Sequence, residues 1–187
     1  MGLFAPQLEL YLSPIIKQMD KAQAKAQFAL SGAETEFTLI GMKGWARIVA
    51  CHDGDTITMV FPVLGKMFKF NVRLYGIDTC EMTSKGACQE TAIKARNRLI
   101  ELITGLPIQP NASLNRKDIM GLFAKEIDLV WVECMEMDKY GRVLANLRGA
   151  PDAPNTFADI LLDEKLAYKY FGATKLTEAE QMALLKN

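Results

Sequence analysis

The fold of this chain is decided by residues 45–77, which read WARIVACHDGDTITMVFPVLGKMFKFNVRLYGI. Apolar and polar side chains alternate along three runs of this stretch, and a period of two is typical of β-strands. The runs predict strands over Trp45–Cys51, Thr56–Phe61 and Met67–Ile77. Asp53-Gly54-Asp55 and a segment containing Gly65 supply the residues that favour turns between them. The stretch therefore predicts a three-stranded antiparallel meander.

The rest of the chain adds helices and two more strands. The patterns predict a helix over Gln89–Ile103, strands over Ile127–Cys134 and Val143–Leu147 joined by a hairpin, and helices over Asn155–Glu164 and from Thr177 onward. Leu106–Lys125 contains two prolines and is expected to be irregular. Three strands, a helix, two strands and further helices fit an α+β fold, namely a five-stranded OB-type β-barrel with packed helices.

Residues 1–44 precede this pattern and are expected to form an N-terminal helical extension to the barrel domain, residues 45–187. Ser13-Pro14 places a capping residue before a proline at the first helical position. Ile15, Met19, Ala22 and Ala26 then recur at helical spacing. We expect this helix to pack on the domain or on a second copy of the chain, as in a homo-oligomer. Deleting it and measuring the mass in solution would test the second case.

Composition narrows the classes of function. Lys+Arg and Asp+Glu both number 22, so the net charge is zero, which argues against a protein that coats nucleic acid. A small cleft with a local positive field is still compatible with this balance. No apolar run is long enough to span a bilayer and no signal peptide is evident, so we expect an intracellular protein without membrane contacts. The four cysteines form no CxxC pair, which disfavours zinc and predicts reduced thiols.

Acidic residues gather at two points of the meander. Asp53-Gly54-Asp55 alone fits an ordinary hairpin turn, and Asp78 and Glu81 alone fit a solvated strand end. Their joint presence in one meander is more informative, because calcium takes several oxygen ligands in irregular geometry. Carboxylates from Asp55 and Asp78 and the carbonyl oxygen of Thr79 could supply three ligands, with water and a substrate phosphate completing the shell.

Two arginines accompany these acids. Arg73 lies within an apolar strand, where its charge needs a partner. That partner could be Asp78 or Glu81 in a salt bridge, or a phosphate held by the planar guanidinium. Arg142 follows Lys139-Tyr140-Gly141 in the predicted hairpin and, taken alone, would be a solvated turn residue.

Three segments together resemble the signatures of the staphylococcal (thermonuclease-like) nuclease family. They are Asp53–Thr56, Arg73–Glu81 and Asp138–Arg142, in the family's order, and the likeness runs from about Trp45 to the C-terminus. The resemblance implies an OB-type barrel and calcium-dependent cleavage of DNA and RNA with little sequence preference, giving 3′-phosphate ends. It assigns one calcium ion to Asp55, Asp78 and Thr79, and catalysis to Arg73, Glu81 and Arg142. Lys139, Tyr140, Tyr168 and Tyr170 would contact a single-stranded substrate.

The sequence departs from this family at Cys80, where the family usually has proline, so the placement of Glu81 is open. The loop after Glu81 also looks shorter than in well-known members. Tyr168 and Tyr170 fit aromatic core packing as well as they fit base stacking. The alternative function is a non-catalytic OB-type module that binds nucleic acid or protein. Such modules normally lack the acids and arginines that this chain keeps.

Overall fold

The computed structural model describes residues 20–30, 38–125, 128–172, 174 and 176–186. The chain divides into two units, residues 1–37 and 38–187. Within the first unit, helix α1 spans Lys21–Leu30. Asp20 caps it, because its Oδ1 accepts hydrogen bonds from the backbone N–H groups of Ala22 and Gln23 at 2.8 and 2.9 Å. The predicted helix start at Ser13-Pro14 lies outside the described residues.

The second unit is a closed five-stranded barrel with helices. Its strands are β1 (Lys43–Cys51), β2 (Thr56–Val63), β3 (Lys66–Leu74), β4 (Ile77–Asp78), β5 (Leu129–Met137), β6 (Val143–Arg148) and β7 (Tyr168–Lys169). Its helices are α2 (Gly86–Thr104), α3 (Arg116–Lys125), α4 (Phe157–Asp163) and α5 (Glu178–Lys186). The barrel order is β1-β2-β3-β6-β5, and β5 pairs back onto β1. The β3–β6 pair is parallel and the other barrel pairs are antiparallel. The predicted α+β barrel is confirmed at this level.

The interior of the barrel is apolar because inward-facing residues alternate along each strand. Ile57, Met59 and Phe61 on β2 are almost fully buried, as are Val72 and Leu74 on β3. Helix α2 adds a buried face that includes Leu99, Ile100 and Ile103. Burying each such side chain contributes about 1.5–3 kcal/mol, so this shared core is what holds the barrel and α2 together.

The third strand ends earlier than predicted. It stops at Leu74, because the chain turns at Tyr75-Gly76 and Gly76 has φ +78°, a left-handed conformation that favours glycine. After the turn, Ile77–Asp78 forms the separate short strand β4, which pairs antiparallel with β7. The register sets Asp78 opposite Tyr168. Strands of two residues carry no periodicity, so this pairing could not be predicted from the sequence pattern.

The prediction that Leu106–Lys125 is irregular was wrong for its second half, which forms α3. Asn115 caps this helix by accepting a hydrogen bond from Asp118 N at 3.1 Å, and Asp118 Oδ2 accepts one from Asn115 N at 2.9 Å. The helix buries Ile119 and Phe123 against the main core. The prolines at 107 and 110 lie only in the segment before Asn115, which caps the helix.

The remaining elements follow the predictions with shifted ends. Helix α2 begins at Gly86 rather than Gln89, and β5 extends to Met137. Thr177 caps α5, since its Oγ1 accepts a hydrogen bond from Glu180 N at 3.4 Å and its N–H donates to the Glu180 carboxylate at 2.8 Å. In the part of the chain that the structure describes, no helix is both long and apolar enough to cross a membrane.

Candidate functional site

The turn between β1 and β2 holds Asp55 inside the protein. Asp53 Oδ1 accepts hydrogen bonds from the N–H groups of Asp55 and Thr56 at 3.1 and 2.7 Å, which closes the turn. Gly54 packs so closely against α2 that an added Cβ would lie 2.6 Å from the Ala95 Cβ. Asp55 is consequently buried, and Thr56 Oγ1 donates to its Oδ1 at 2.8 Å.

Asp55 and Asp78 converge on the same two donors although they are far apart in the sequence. Arg73 Nη2 lies 3.1 Å from Asp55 Oδ2 and also donates a hydrogen bond to Asp78 Oδ1. The backbone N–H of Thr79 donates to Asp55 Oδ2 at 3.2 Å and to Asp78 Oδ1 at 3.1 Å. The structure thus brings together the two predicted carboxylates, Arg73 and the Thr79 peptide.

The cluster has more negative than positive charge. Burial raises the pKa of Asp55 well above its ordinary value, and the negative charges of Asp53 and Asp78 raise it further, whereas Arg73 opposes the rise. Burial by itself would lower the pKa of Arg73, but the Asp55 and Asp78 carboxylates raise it overall. Two buried carboxylates facing one guanidinium leave a site that favours a further proton or cation.

Tyr168 contacts this cluster through Asp78. It is buried, and its hydroxyl donates to Asp78 Oδ2 at 2.6 Å, as the β4–β7 register allows. Burial and the Asp78 charge both raise the pKa of the phenol, so it stays a donor at neutral pH. The resemblance to the nuclease family implied that Tyr168 contacts substrate, but this residue does not line the cleft that opens beside the cluster. Here it orients a carboxylate.

A cleft of about 820 Å³ opens beside the cluster. Its lining includes most of the predicted site residues, namely Arg73, Asp78, Glu81, Lys139, Tyr140, Arg142 and Tyr170. Asp55, Thr79 and Tyr168 are buried and lie outside this lining. The two predicted phosphate-binding arginines therefore face one common space.

The hairpin between β5 and β6 forms one wall of the cleft. The Asp138 carboxylate organises it by accepting bonds from Tyr140 N and Arg142 N, both at 2.9 Å, and from Arg142 Nε at 2.7 Å. Burial alone would raise the pKa of Asp138, but these hydrogen bonds lower it overall. The Tyr140 ring lies 5.6 Å from Arg142 Cζ and 5.2 Å from Lys139 Nζ. Two cations and an exposed ring thus share this wall.

Aromatic rings line another part of the cleft. The Tyr170 ring lies 5.7 Å from Arg73 Cζ, and Tyr75 contacts Phe171 edge to face with ring centroids 5.9 Å apart. Tyr75 and Phe171 were not predicted as site residues. The signal that could have indicated them is their position, because Tyr75 lies within the Arg73–Glu81 segment and Phe171 directly follows Tyr170. Flat rings beside guanidinium groups can accept nucleotide bases.

The donor set fits a hard divalent cation in part. Asp55 and Asp78 offer two buried carboxylates with insufficient positive charge around them, which suits such an ion. Among the described residues, including those of this cluster, no group of three or more His, Cys, Asp or Glu side chains is arranged to hold a metal ion. Calcium takes six to eight oxygen ligands, so a main-chain oxygen of Thr79, water and substrate oxygens would have to complete the shell.

No protein-family model matches the sequence, and no curated protein is significantly similar to it. The resemblance to the staphylococcal nuclease family consequently stays a prediction that rests on the three motifs.

Proposed function

We propose that the protein is a calcium-dependent phosphodiesterase that cleaves single-stranded DNA and RNA with little sequence preference and leaves 3′-phosphate ends. The observation that carries this proposal is the cluster in which Arg73 contacts both Asp55 and Asp78 at the edge of a cleft shared with Arg142. Buried acids, two arginines and a further carboxylate at one cleft match what phosphodiester hydrolysis needs.

We further propose that the barrel is of the OB type. The support is its strand order, with three consecutive antiparallel strands followed by a parallel β3–β6 pair and closure of β5 onto β1. Barrels of this type commonly bind nucleic acid strands. The cleft lies where the β3 end, the β5–β6 hairpin and the segment after β7 meet.

Each side chain has a task in this proposal. Asp55, Asp78 and the Thr79 carbonyl would hold the calcium ion, which supplies Lewis-acid stabilisation of the charge on the phosphoryl oxygens. Tyr168 keeps Asp78 oriented through its hydroxyl. Arg142, held by Asp138, is directed to a phosphate oxygen, and Glu81 at the cleft lining orients the attacking water and takes its proton.

Arg73 is the residue whose contacts must change. Its Nη2 is bound to both carboxylates, and binding of a divalent cation there would compete with the guanidinium for the same oxygens. A guanidinium released from the carboxylates can bind the phosphate with two parallel hydrogen bonds. Binding of the ion and of the substrate would therefore support each other.

Aromatic residues provide binding without sequence readout. Tyr140 is 72% exposed and Phe171 is 70% exposed, and both line the cleft. Stacking of a base on an aromatic ring contributes about 1–3 kcal/mol and tolerates every base. Lys139 and the two arginines supply the positive charge that follows a phosphate backbone.

The second candidate is a non-catalytic binding module, and one observation favours it. Both arginines already have carboxylate partners within the chain, Arg73 with the two aspartates and Arg142 with Asp138. Arginines with purely structural roles would have such partners. The same cleft could then hold a strand without cleaving it.

Glu81→Gln separates the two candidates. The enzyme proposal predicts that this variant loses about 10²–10⁴ in cleavage rate with calcium present, because general base catalysis typically contributes that much. Binding of labelled single-stranded DNA should change little, since the amide keeps the size of the side chain. Glu136→Gln, at the cleft lining but outside the proposed machinery, is the matched control. Equal cleavage by wild type and Glu81→Gln would reject the role of Glu81, and absence of cleavage by wild type would favour the binding module.

A further inference from the structure

The thiols of Cys80 and Cys88 lie in contact next to the candidate site. Cys88 Sγ lies 2.7 Å from Cys80 Sγ and 3.5 Å from Gln181 Oε1. Both cysteines are buried, in a small apolar cluster separate from the barrel core that also contains Tyr168 and Leu185. All four cysteines of the chain are free thiols, but this contact is specific to Cys80 and Cys88.

The position of this pair is as informative as the contact. Cys80 stands between Thr79, whose N–H binds both aspartates, and Glu81, which lines the cleft. Cys88 lies in the first turn of α2. A bond between the two sulfurs would join the loop that carries Glu81 to a helix anchored in the core. Seven residues, 81–87, separate the two cysteines along the chain.

We propose that Cys80 and Cys88 are a redox modification site, at which a peroxide converts the two thiols into a reversible disulfide that fastens the Glu81 loop to α2. One sulfur attacks a peroxide oxygen, becomes a sulfenic acid and releases water. The second sulfur then displaces the sulfenic hydroxyl as another water. In sum, two thiols and one hydrogen peroxide give one disulfide and two waters, and a dithiol reductant reverses the change.

The effect on activity rests on the function proposed above. A disulfide would limit the movement of Cys80, and with it the movement of Thr79 and Glu81 on either side. Since small displacements of catalytic groups have large effects on rate, a fastened loop should raise kcat by about two- to tenfold, with KM changed little. The same bond closes a short loop and should raise the Tm by roughly 4–10 °C.

The first experiment follows the thiols of the full chain before and after exposure to hydrogen peroxide. Wild type should lose two of its four titratable thiols, regain them with dithiothreitol, and yield a disulfide-linked peptide pair that contains Cys80 and Cys88. Cys88→Ala should lose no pair. Cys134→Ala, which removes a buried thiol on β5, should behave as wild type. The proposal is overturned if wild type keeps four thiols, if the linked peptides contain other cysteines, or if the sulfurs end as sulfinic acids.

The second experiment compares cleavage by the oxidised and reduced forms. We expect the increase in kcat in wild type and in Cys134→Ala, and no change in Cys88→Ala. If the disulfide forms but no form cleaves nucleic acid, the proposed function has failed and the modification site stands. If wild type cleaves equally fast or more slowly after oxidation, the fastening effect is refuted.

Discussion

Removing the Tyr168 hydroxyl tests whether Asp78 is held in place for a metal ion. In Tyr168→Phe the ring that packs in the small apolar cluster is kept, so no cavity is created. What is lost is the 2.6 Å hydrogen bond to Asp78 Oδ2. That oxygen is buried with its residue only 4% exposed, so water replaces the donor poorly.

The expected magnitudes follow from this loss. A hydrogen bond to a charged group contributes about 1.5–3 kcal/mol, and we expect the variant to be destabilised by that amount. For a domain of this size, such a loss lowers the Tm by roughly 3–12 °C. Loss of a partner that orients a metal ligand typically weakens metal affinity about 10–100-fold, and we expect the calcium Kd to rise accordingly.

The assay is thermal unfolding in chelator together with calorimetric titration of calcium. Tyr140→Phe is the matched control, because it makes the same chemical change on a side chain that is 72% exposed. That control should keep the Tm and the calcium affinity of wild type. If Tyr168→Phe also kept both, Asp78 would not depend on this hydrogen bond for its position.

Three further predictions test other parts of the site. Arg142→Ala should lower the cleavage rate about 10²–10³-fold, because a contact that stabilises charge in the transition state is lost. Arg148→Ala, which removes an ion pair with Glu133 outside the cleft, should keep the wild-type rate, and similar rates for the two variants would contradict the prediction. Gly54→Ala should destabilise the protein by about 1–3 kcal/mol and weaken calcium binding, because the new Cβ would lie 2.6 Å from the Ala95 Cβ. Denaturant unfolding measures the change in stability, and Gly149→Ala, whose added Cβ meets nothing within 4 Å, is the control. The lowered pKa of Asp138 predicts a contribution to stability that is complete above its ordinary value of 3.8 and is lost as the pH falls through the lowered value in the folded state; Asp138→Asn should remove that contribution, and an unchanged stability difference between the two proteins from neutral to acid pH would argue against it.

Much of the barrel could be predicted because its strands are half-buried and joined by short turns. Alternation along Thr56–Phe61, for example, reflects side chains that point in turn to the core and outward. The parallel β3–β6 contact could not be read in this way, since pairing between distant strands leaves no local pattern. Helix α3 was missed because the prolines before it dominated the segment, although Asn115 and Asp118 form a capping pair.

The candidate site shows the same division between local and distant information. The motifs indicated Asp55, Asp78 and Arg73 as site residues. They did not show that one guanidinium nitrogen contacts both carboxylates. The role of Tyr168 depends on the pairing of two very short strands, which no periodicity reports. Likewise, Cys80 and Cys88 lack CxxC spacing and meet only because the loop returns to the first turn of α2.

In the proposed function, Asp55, Asp78, Arg73 and Arg142 act together, around a calcium ion, on a phosphodiester. The most direct measurement is incubation of the full chain with end-labelled single-stranded DNA, with calcium and with a calcium chelator, followed by analysis of the product ends. We expect fragments with 3′-phosphate ends in calcium and intact strands in chelator. Intact strands in both conditions, or equal cleavage in both, would contradict it.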